Sequence, residues 1–348
     1  MKTQIYQTLN TETILYRREL HQIPETGTHL PQTSDYIKKR LSDFGVSFIP
    51  NEGDGGLIAF LDTKRPGKTI AFRADMDALP IKEETGLLYA STNGNMHACG
   101  HDAHMAILLS TIFYIKEHLS EFYGRFLFLF QTGEEISKGA LIMKEEPFFL
   151  AHQPDYLFGL HIGLLHPEVS TGQLGISPGL LMASYDKFHI TITGKGCHGS
   201  TPNKGIIPST CEIEGTIRAL SADMRSFLWK RLTEIAEFSA KSLRAEAKVT
   251  IEAGAPALSN NTHATVALTK AAETLFPKED IVSPLSPIMV GEDFSEYLTD
   301  IPGAFFFLGA GNEKKDCSYP HHHSKFQIDE DVLWKGCALF IETAKQLT

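Results

Sequence analysis

RFLFLFQTGEE, residues 125–135, joins an almost wholly apolar run to two adjacent carboxylates, Glu134 and Glu135. Such a run is typical of a strand that is buried on both faces, as strands are in a parallel sheet covered by helices. The runs TIAFR (residues 69–73) and YLFGL (156–160) have the same character and also lead directly into acidic residues or histidine. Because open α/β sheets bind ligands at the carboxyl ends of their strands, these polar residues mark the predicted site.

Other segments support an α/β class with a mostly parallel sheet. A further strand is predicted at residues 56–61, and a helix packed on the sheet is predicted at residues 101–120, which contain MAILLSTIFYI. Towards the end of the chain, residues 262–275 and 330–346 are predicted helices, and AFFFLGAG is a predicted buried strand.

The pattern changes from about Ala183. The segments FHITITGKG, EIEGTIRAL and AKVTIEAG alternate polar and apolar residues, as half-exposed strands do. Residues 221–243 have helical spacing, with Ser221 as the predicted N-cap. Strands followed by a helix predict a small α+β lid inserted in the larger domain. The predicted catalytic metal-binding domain therefore comprises residues 1–182 and 255–348, and the predicted lid domain comprises residues 183–254.

Composition and charge exclude several classes of protein. A net charge of -10 without a basic cluster argues against a nucleic-acid-binding protein. No apolar stretch is long enough to cross a bilayer, and the apolar positions near the start have helical spacing rather than forming a signal-peptide core. The cysteines are too scattered to indicate a disulfide framework, so a reducing cytoplasm is the expected location. They are Cys99, Cys197, Cys211, Cys317 and Cys337.

The densest chemical signal is MHACGHDAH, residues 96–104, which contains Cys99, His101, Asp102 and His104. Thiolate, imidazole and carboxylate groups are the usual ligands of zinc and similar ions, so a metal site is predicted. A thiol nucleophile at Cys99 is an alternative, because a cysteine beside a histidine can form a reactive pair. That alternative leaves the adjacent glutamates and the further histidines without a role.

Three further motifs supply acids and histidines. In the glutamate pair, one carboxylate can bind a metal while its neighbour accepts a proton from a metal-activated water. His161 follows another buried run, in FGLHIG, and the histidine triplet 321–323 precedes SKFQIDED. RADMDALP contributes Asp75 and Asp77, which are predicted either to orient a metal-bound histidine or to cap a turn.

Taken in order, these motifs resemble the metallo-amidohydrolases that include hippurate hydrolase, auxin-conjugate hydrolases and N-acetyldiaminopimelate deacetylase, relatives of aminoacylase and glutamate carboxypeptidases. The resemblance spans almost the entire chain, and its most specific part is MHACGHDAH together with GEE and the downstream histidines. The segments that carry it are RRELHQIPETG, FRADMDALP, NMHACGHDAHMA, GLHIG, GKGCHGSTP, GEDFSEY and HHHSKFQIDED.

The resemblance implies a site with two divalent metal ions. A thiolate among the implied ligands favours zinc, cobalt or nickel over magnesium, manganese is also compatible with the implied histidines, and the sequence does not choose between these ions. Glu134 takes the place of the general base, and Asp77 that of the residue that orients a metal ligand. His198, in GKGCHGST, matches a histidine that reaches the reaction centre from the smaller domain, often of a partner subunit, and stabilises the oxyanion. His322 is chosen from the triplet because the family's ligand stands four residues before an aromatic residue, here Phe326. The implied metal ligands are Cys99, His101, Glu135, His161 and His322.

The chain departs from the family pattern at two places. Before the acidic pair the family usually has proline and alanine, whereas this chain has QTGEE, which keeps both carboxylates. After Gly205 roughly forty residues of the family pattern are absent, about the size of one helix, a strand and their loops. In relatives this portion supplies much of a dimer surface and a substrate-contacting asparagine. Either the lid domain is shortened, or the sequence omits residues of the natural chain.

The predicted function is metal-dependent hydrolysis of the amide bond of an N-acyl amino acid, an N-acetyl one first of all, or of a related conjugate. A dipeptidase or carboxypeptidase with the same centre is the nearest alternative. A catalytically silent metal-binding protein is the alternative if the lid is shortened. The expected partner is a small-molecule substrate. A homodimer through the lid domain is also expected, whereas binding to nucleic acid or to a membrane is not.

Overall fold

The computed structural model describes residues 2–50, 56–195 and 209–347 of the 348-residue chain. The chain forms two compact units. The first comprises Met1–Leu181, Ser259–Ser286 and Glu296–Thr348, and the second comprises Met182–Leu258 and Pro287–Ser295. The domain bounds given above stay a prediction, and Pro287–Ser295 lies outside the predicted lid range.

Helices and strands alternate through the first half of the chain. The α-helices of the described residues are α1 (Lys2–Gln7), α2 (Asn10–His21), α3 (Pro31–Asp43), α4 (His101–Glu117), α5 (Gly139–Lys144), α6 (Pro147–Ala151), α7 (Ala222–Ser242), α8 (Thr262–Leu275), α9 (Ser295–Leu298) and α10 (Leu333–Leu347). The strands are β1 (Ser47–Pro50), β2 (Gly56–Asp62), β3 (Thr69–Asp75), β4 (Arg125–Gln131), β5 (Tyr156–Gly163), β6 (Leu174–Gly175), β7 (Gly179–Met182), β8 (Asp186–Thr193), β9 (Thr210–Ile217), β10 (Glu246–Ala253), β11 (Leu258–Asn260), β12 (Ile281–Val282) and β13 (Gly303–Gly309). Strand β4 and helix α8 have the predicted bounds.

The first unit is built on an eight-stranded mixed sheet with the order β1-β2-β4-β3-β5-β13-β6-β12. Its centre, β4-β3-β5-β13, is parallel, whereas β1, β2 and the pairing of β6 with β13 are antiparallel. Along β4, Phe126, Phe128 and Phe130 alternate with Leu127 and Leu129, and all are buried. Both faces of this strand therefore lie in the core, and the predicted α/β class with a mostly parallel sheet is confirmed.

Near the carboxyl edge of this sheet, β3 and β5 stop pairing before either strand ends. The paired residues of these strands are Ile70–Phe72 and Tyr156–Phe158, although both strands continue beyond them. Helix α4 begins at the same edge, after Gly100 adopts a φ of 90°, where a Cβ would lie 3.0 Å from Cγ2 of Ile162. Glycine is therefore required at this turn. The edge can receive polar side chains from several elements.

The second unit contains an antiparallel three-stranded sheet, β10-β8-β9, and the long helix α7. Ser221 is the N-cap of α7, as predicted, because its Oγ accepts a hydrogen bond from the N–H of Met224. Asp186, at the start of β8, is buried and accepts hydrogen bonds from Arg225 and Trp229. These bonds hold α7 on the sheet, and the predicted small α+β unit is confirmed.

Helix α7 also carries apolar side chains with large exposed fractions. These fractions are 49% for Met224, 55% for Phe227, 54% for Ile235 and 69% for Phe238. Their spacing follows the helical repeat, so they share one side of the helix. We call these four residues the α7 apolar stripe. Contiguous exposed apolar surface is typical of an interaction site.

Among the described helices, none combines the length and apolar character that crossing a membrane requires. Among the described residues, no disulfide joins one cysteine to another. The described cysteines are Cys99, Cys211, Cys317 and Cys337, while Cys197 lies outside the described residues.

Candidate metal centre

The five predicted metal ligands meet at the carboxyl edge of the eight-stranded sheet. They come from the residues just before α4 and its first residue, from β5, from the turn after β4 and from the loop before α10. Candidate ligand atoms of Cys99, His101 and His161 lie within 4.8 Å of one another, and so do those of Cys99, Glu135 and His322. The two groups share Cys99, so the five side chains form one cluster.

The acidic pair lies beside His101. Oε2 of Glu134 and Oε1 of Glu135 are each 4.0 Å from Nε2 of His101. The backbone N–H groups of both glutamates donate to the carboxylate of Asp77, at 3.0 Å from Glu134 and 3.1 Å from Glu135. Burial raises the pKa of Asp77, because an ionised carboxylate loses hydration there. A buried carboxylate thus fixes the backbone that carries the predicted general base.

Both buried histidines of the cluster use Nδ1 for a backbone hydrogen bond. Nδ1–H of His101 donates to the carbonyl of Asp77 at 2.7 Å, and Nδ1–H of His161 donates to the carbonyl of Ile162 at 3.0 Å. This arrangement leaves the lone pair of Nε2 on each ring for a metal, as in many metal sites. Nε2 of His161 is 3.4 Å from Sγ of Cys99. Asp77 contacts His101 through its main chain, while its Oδ1 is 3.7 Å from Nδ1.

Two atoms of the cluster are buried without a hydrogen-bond partner in the described part of the chain, namely Nε2 of His101 and Oε1 of Glu135. Nε2 of His322 lies 3.5 Å from that carboxylate oxygen. An unsatisfied buried polar atom costs about 1 to 3 kcal/mol, so such atoms are rare. Divalent ions bound here would satisfy both atoms, and thiolate, imidazole and carboxylate donors suit such ions. The residues therefore fit a pair of divalent ions.

The charges around His101 favour a cation. Burial lowers the pKa of His101, but Asp75 and the neighbouring carboxylates raise it to about 10. Burial raises the pKa of Asp75, whereas the charges of His101 and Arg73 bring it well below its usual value. Because several buried carboxylates surround this ring, the local potential attracts positive charge.

The remaining predicted histidines are those of the triplet 321–323 and His198. Of the triplet, His322 belongs to the ligand cluster, while His321 and His323 accept hydrogen bonds from backbone N–H groups. His198 lies outside the described residues, so its role at the oxyanion stays a prediction. The roles of Glu134 and Asp77 also stay predictions, now with a defined geometry.

A buried ionic network around Asp102, in the first turn of α4, was not predicted from the sequence. The carboxylate of Asp102 accepts hydrogen bonds from Nε of Arg17 at 3.0 Å and from Nδ1 of His21 at 2.8 Å. Nε2 of His21 is 3.1 Å from Glu83, and Nη1 of Arg17 is 2.8 Å from Glu330. The network fixes the first turn of α4, next to His101. Arg17 and His21 lie in the motif RRELHQIPETG, and Asp102 lies in MHACGHDAH, but neither motif predicts that these side chains meet.

A thiol, imidazoles and a carboxylate meet at this sheet edge, and a further carboxylate lies beside them. This combination defines a metal-dependent hydrolase. The chain belongs to peptidase family M20/M25/M40, whose model matches residues 71–346. The predicted family resemblance is thereby confirmed.

Two relatives and one crystal structure illustrate the similarity. The chain is 33% identical to the N-acetyl-L-cysteine deacetylase of Bacillus subtilis over 383 aligned residues, which cover 98% of this chain and 89% of the relative. It is also 33% identical to thermostable carboxypeptidase 1 of Saccharolobus solfataricus, with coverage of 93% and 92%. A dinuclear metal-binding peptidase of the M20 family from Bacillus subtilis has a TM-score of 0.82 and 30% identity, with coverage of 97% and 98%.

Proposed function

We propose that this protein hydrolyses the amide bond of N-acyl amino acids, and that N-acetyl amino acids are its preferred substrates. The observation that carries the proposal is the cluster of a thiol, imidazoles and two adjacent glutamates at one sheet edge. The similarity to an N-acetyl-L-cysteine deacetylase supports an acetylated amino acid as the substrate.

The proposal includes a pair of divalent ions, of zinc, cobalt, nickel or manganese. When bound, such ions would polarise the amide carbonyl and lower the pKa of a water molecule. A thiolate ligand favours these softer ions over magnesium. Elemental analysis of the purified protein would identify the physiological ion. The proposed ligands are Cys99, His101, Glu135, His161 and His322.

In this proposal Glu134 acts as the general base. Its Oε2 is 4.0 Å from Nε2 of the proposed ligand His101, which brings the carboxylate within reach of a water beside the ions. Asp77 keeps the base in place, because it binds the N–H of Glu134. Glu134 would accept a proton from the water as the water oxygen bonds to the carbonyl carbon, and would return that proton to the leaving nitrogen as the C–N bond breaks. The products would be the carboxylic acid and the free amine of the amino acid.

A substrate panel tests the proposal against its nearest alternative. The purified, metal-loaded protein is assayed with N-acetyl amino acids, N-acetyl-L-cysteine among them, and with dipeptides of the same amino acids. We expect higher kcat/KM for the acetylated compounds. A preference for dipeptides would favour a carboxypeptidase or dipeptidase, which the similarity to a carboxypeptidase supports. Two bound metal equivalents without hydrolysis of any compound would indicate a catalytically silent metal-binding protein.

We further propose, from the sequence alone, that the lid domain is shortened after Gly205, a position that lies outside the described residues. The alignment with the Bacillus subtilis deacetylase is 383 residues long, more than the 348 residues of this chain. The relative therefore has residues without a counterpart here. Mass spectrometry of the intact natural protein would test this, because a mass above 38.6 kDa by several thousand daltons would show that the sequence omits residues.

The homodimer and the cellular location also belong to the proposal. The α7 apolar stripe supports a dimer through the lid domain, since a second copy would cover it. The odd number and wide scatter of the cysteines in the sequence support a reducing cytoplasm. Sedimentation of the purified protein and fractionation of the cells would test these two statements.

A further inference from the structure

Strand β5 carries His161, but β3 pairs with it only as far as Phe158. On its other side, β13 continues to pair with β5 as far as Gly163. The N–H of Ile162 therefore needs an acceptor that β3 does not supply. It donates to Nε2 of His104 at 3.0 Å, so a side chain of α4 replaces the strand partner.

His104 is held in turn by the end of β3. Its Nδ1 lies 2.6 Å from Oδ1 of Asp75. The other carboxylate oxygen accepts a hydrogen bond from Nη1 of Arg73 at 2.8 Å, and Nε of Arg73 donates to Gln131 at 3.0 Å. These side chains are at most 2% exposed. A buried chain of hydrogen bonds thus connects the ends of β4, β3 and β5 through α4.

These contacts define the tautomer of His104. A backbone N–H can only donate, so Nε2 must accept from Ile162 and the proton lies on Nδ1. Nδ1–H then donates to Asp75. Candidate ligand atoms of His104 do lie within 4.8 Å of those of Asp75 and His101. Because both ring nitrogens are engaged, however, His104 has no lone pair left for a metal.

We propose that His104 is a positioning residue for metal binding, which acts on His161 through the backbone of Ile162. The two imidazoles bind the two main-chain groups of the same residue, His104 at its N–H and His161 at its C=O. The rings also pack edge to face, with centroids 4.9 Å apart. By fixing Ile162, His104 fixes the ring whose Nε2 faces Cys99. The inference rests on the proposed metal site and is independent of the proposed substrate.

Two substitutions of His104 separate its contacts. In His104→Gln, the amide oxygen can reach the position of Nε2 and accept the N–H of Ile162. In His104→Asn, the shorter amide can donate to Asp75 but cannot reach Ile162. Asn260→Ala is the matched control, because Asn260 is also buried in the first unit and binds the backbone of Phe305 instead.

The experiment measures zinc stoichiometry and affinity by competition with a chromophoric chelator, together with the unfolding temperature. We expect two zinc equivalents in the wild type and in every variant. In His104→Asn, the affinity for one of the two zinc ions should fall by about 10- to 100-fold, and in His104→Gln it should fall less. Asn260→Ala should lower the unfolding temperature without changing either zinc affinity. In ¹⁵N-labelled wild-type protein, His104 should give the NMR signature of the Nδ1–H tautomer.

Several results would overturn the inference. Unchanged zinc affinity in His104→Asn, or an equal loss in Asn260→Ala, would show that His104 only stabilises the fold. Complete loss of one equivalent in both His104 variants would make His104 itself a ligand. If His104→Asn does not fold, His104→Gln alone tests the proposal. A loss of zinc affinity as large as 100-fold in His104→Gln would contradict the role of the Ile162 contact. A wild type that binds no zinc would contradict the proposed site as well.

Discussion

The carboxyl edge of the eight-stranded sheet buries ionisable side chains, whereas helix α7 of the second unit exposes apolar ones. At the sheet edge, Asp75 and Asp77 are 0% exposed and His101 is 1% exposed. On the α7 apolar stripe, Phe227 and Phe238 are 55% and 69% exposed. Each region therefore reverses the usual distribution of polar and apolar residues.

The difference between the regions indicates what each one binds. Buried charge loses hydration unless opposite charge compensates it, so the sheet edge is suited to cations. Exposed apolar surface is unfavourable in water, so the stripe is suited to another protein surface. Substitutions that change one region should leave the properties of the other unchanged, and the following predictions test that separation.

The largest effect is expected from Glu134→Gln, which removes the proton acceptor and keeps the size of the side chain. We expect kcat to fall by about 10²- to 10⁴-fold, because general base catalysis contributes that much. Steady-state assays on the best N-acetyl amino acid measure it, and elemental analysis should still find two metal equivalents. Glu145→Gln, at an exposed glutamate after α5, is the control and should retain wild-type kcat. A Glu134→Gln enzyme with more than a tenth of the wild-type kcat would contradict the assignment.

The next largest effect, a decrease in the free energy of unfolding, is expected from Arg17→Met. This substitution removes a guanidinium that is 1% exposed and leaves Asp102 buried with less compensation. Breaking a buried ion pair costs about 3 to 5 kcal/mol, so urea unfolding should show a loss of that size in the free energy of unfolding. Arg18→Met is the control, because Arg18 is 47% exposed, and it should cost less than about 1 kcal/mol. Equal losses of unfolding free energy in both variants would show that burial of the arginine does not determine how much its ion pair contributes to stability.

Removal of the metal ions by a chelator should have a smaller effect on stability. Ions present at 100 times their Kd stabilise the folded state by about 2.7 kcal/mol for one site, and chelation should reverse this and abolish hydrolysis. Hydrogen exchange should accelerate at the start of α4 and the end of β5, while β8 and β10 keep their rates. Equal acceleration in both units would show that the metal effect is not local.

The smallest change in stability is expected from Phe238→Glu on the α7 apolar stripe. A charge there should weaken the proposed dimer, which sedimentation would detect as a higher dissociation constant, because a desolvated carboxylate is unfavourable in an apolar interface. The free energy of unfolding of the monomer should change by less than about 0.5 kcal/mol. Glu237→Gln, the neighbouring position, is the control. A dimer that is unaffected by Phe238→Glu would place its interface elsewhere.

The sequence was most informative where local pattern determines structure. The apolar run of β4 and the periodicity of α8 predicted both elements with their observed bounds, and the family motifs selected the side chains that meet at the sheet edge. Contacts between distant residues were not predictable in this way. Arg17 and Asp102 are 85 positions apart, and no local pattern indicates their ion pair.

His104 shows the same limit within a single motif. Its spacing from His101 suits a ligand, and only the hydrogen bonds to Asp75 and Ile162 distinguish a positioning residue from a ligand. Short strands such as β1 also escaped prediction, because four residues give too little periodicity to recognise.

Anomalous X-ray diffraction from crystals of the zinc-loaded protein would test the central claim most directly. The account predicts two anomalous peaks about 3.5 to 4 Å apart, bound by Cys99, His101, His161, Glu135 and His322, with Glu134 beside them but not bound. Peaks at other residues, or a single peak at full zinc occupancy, would contradict it.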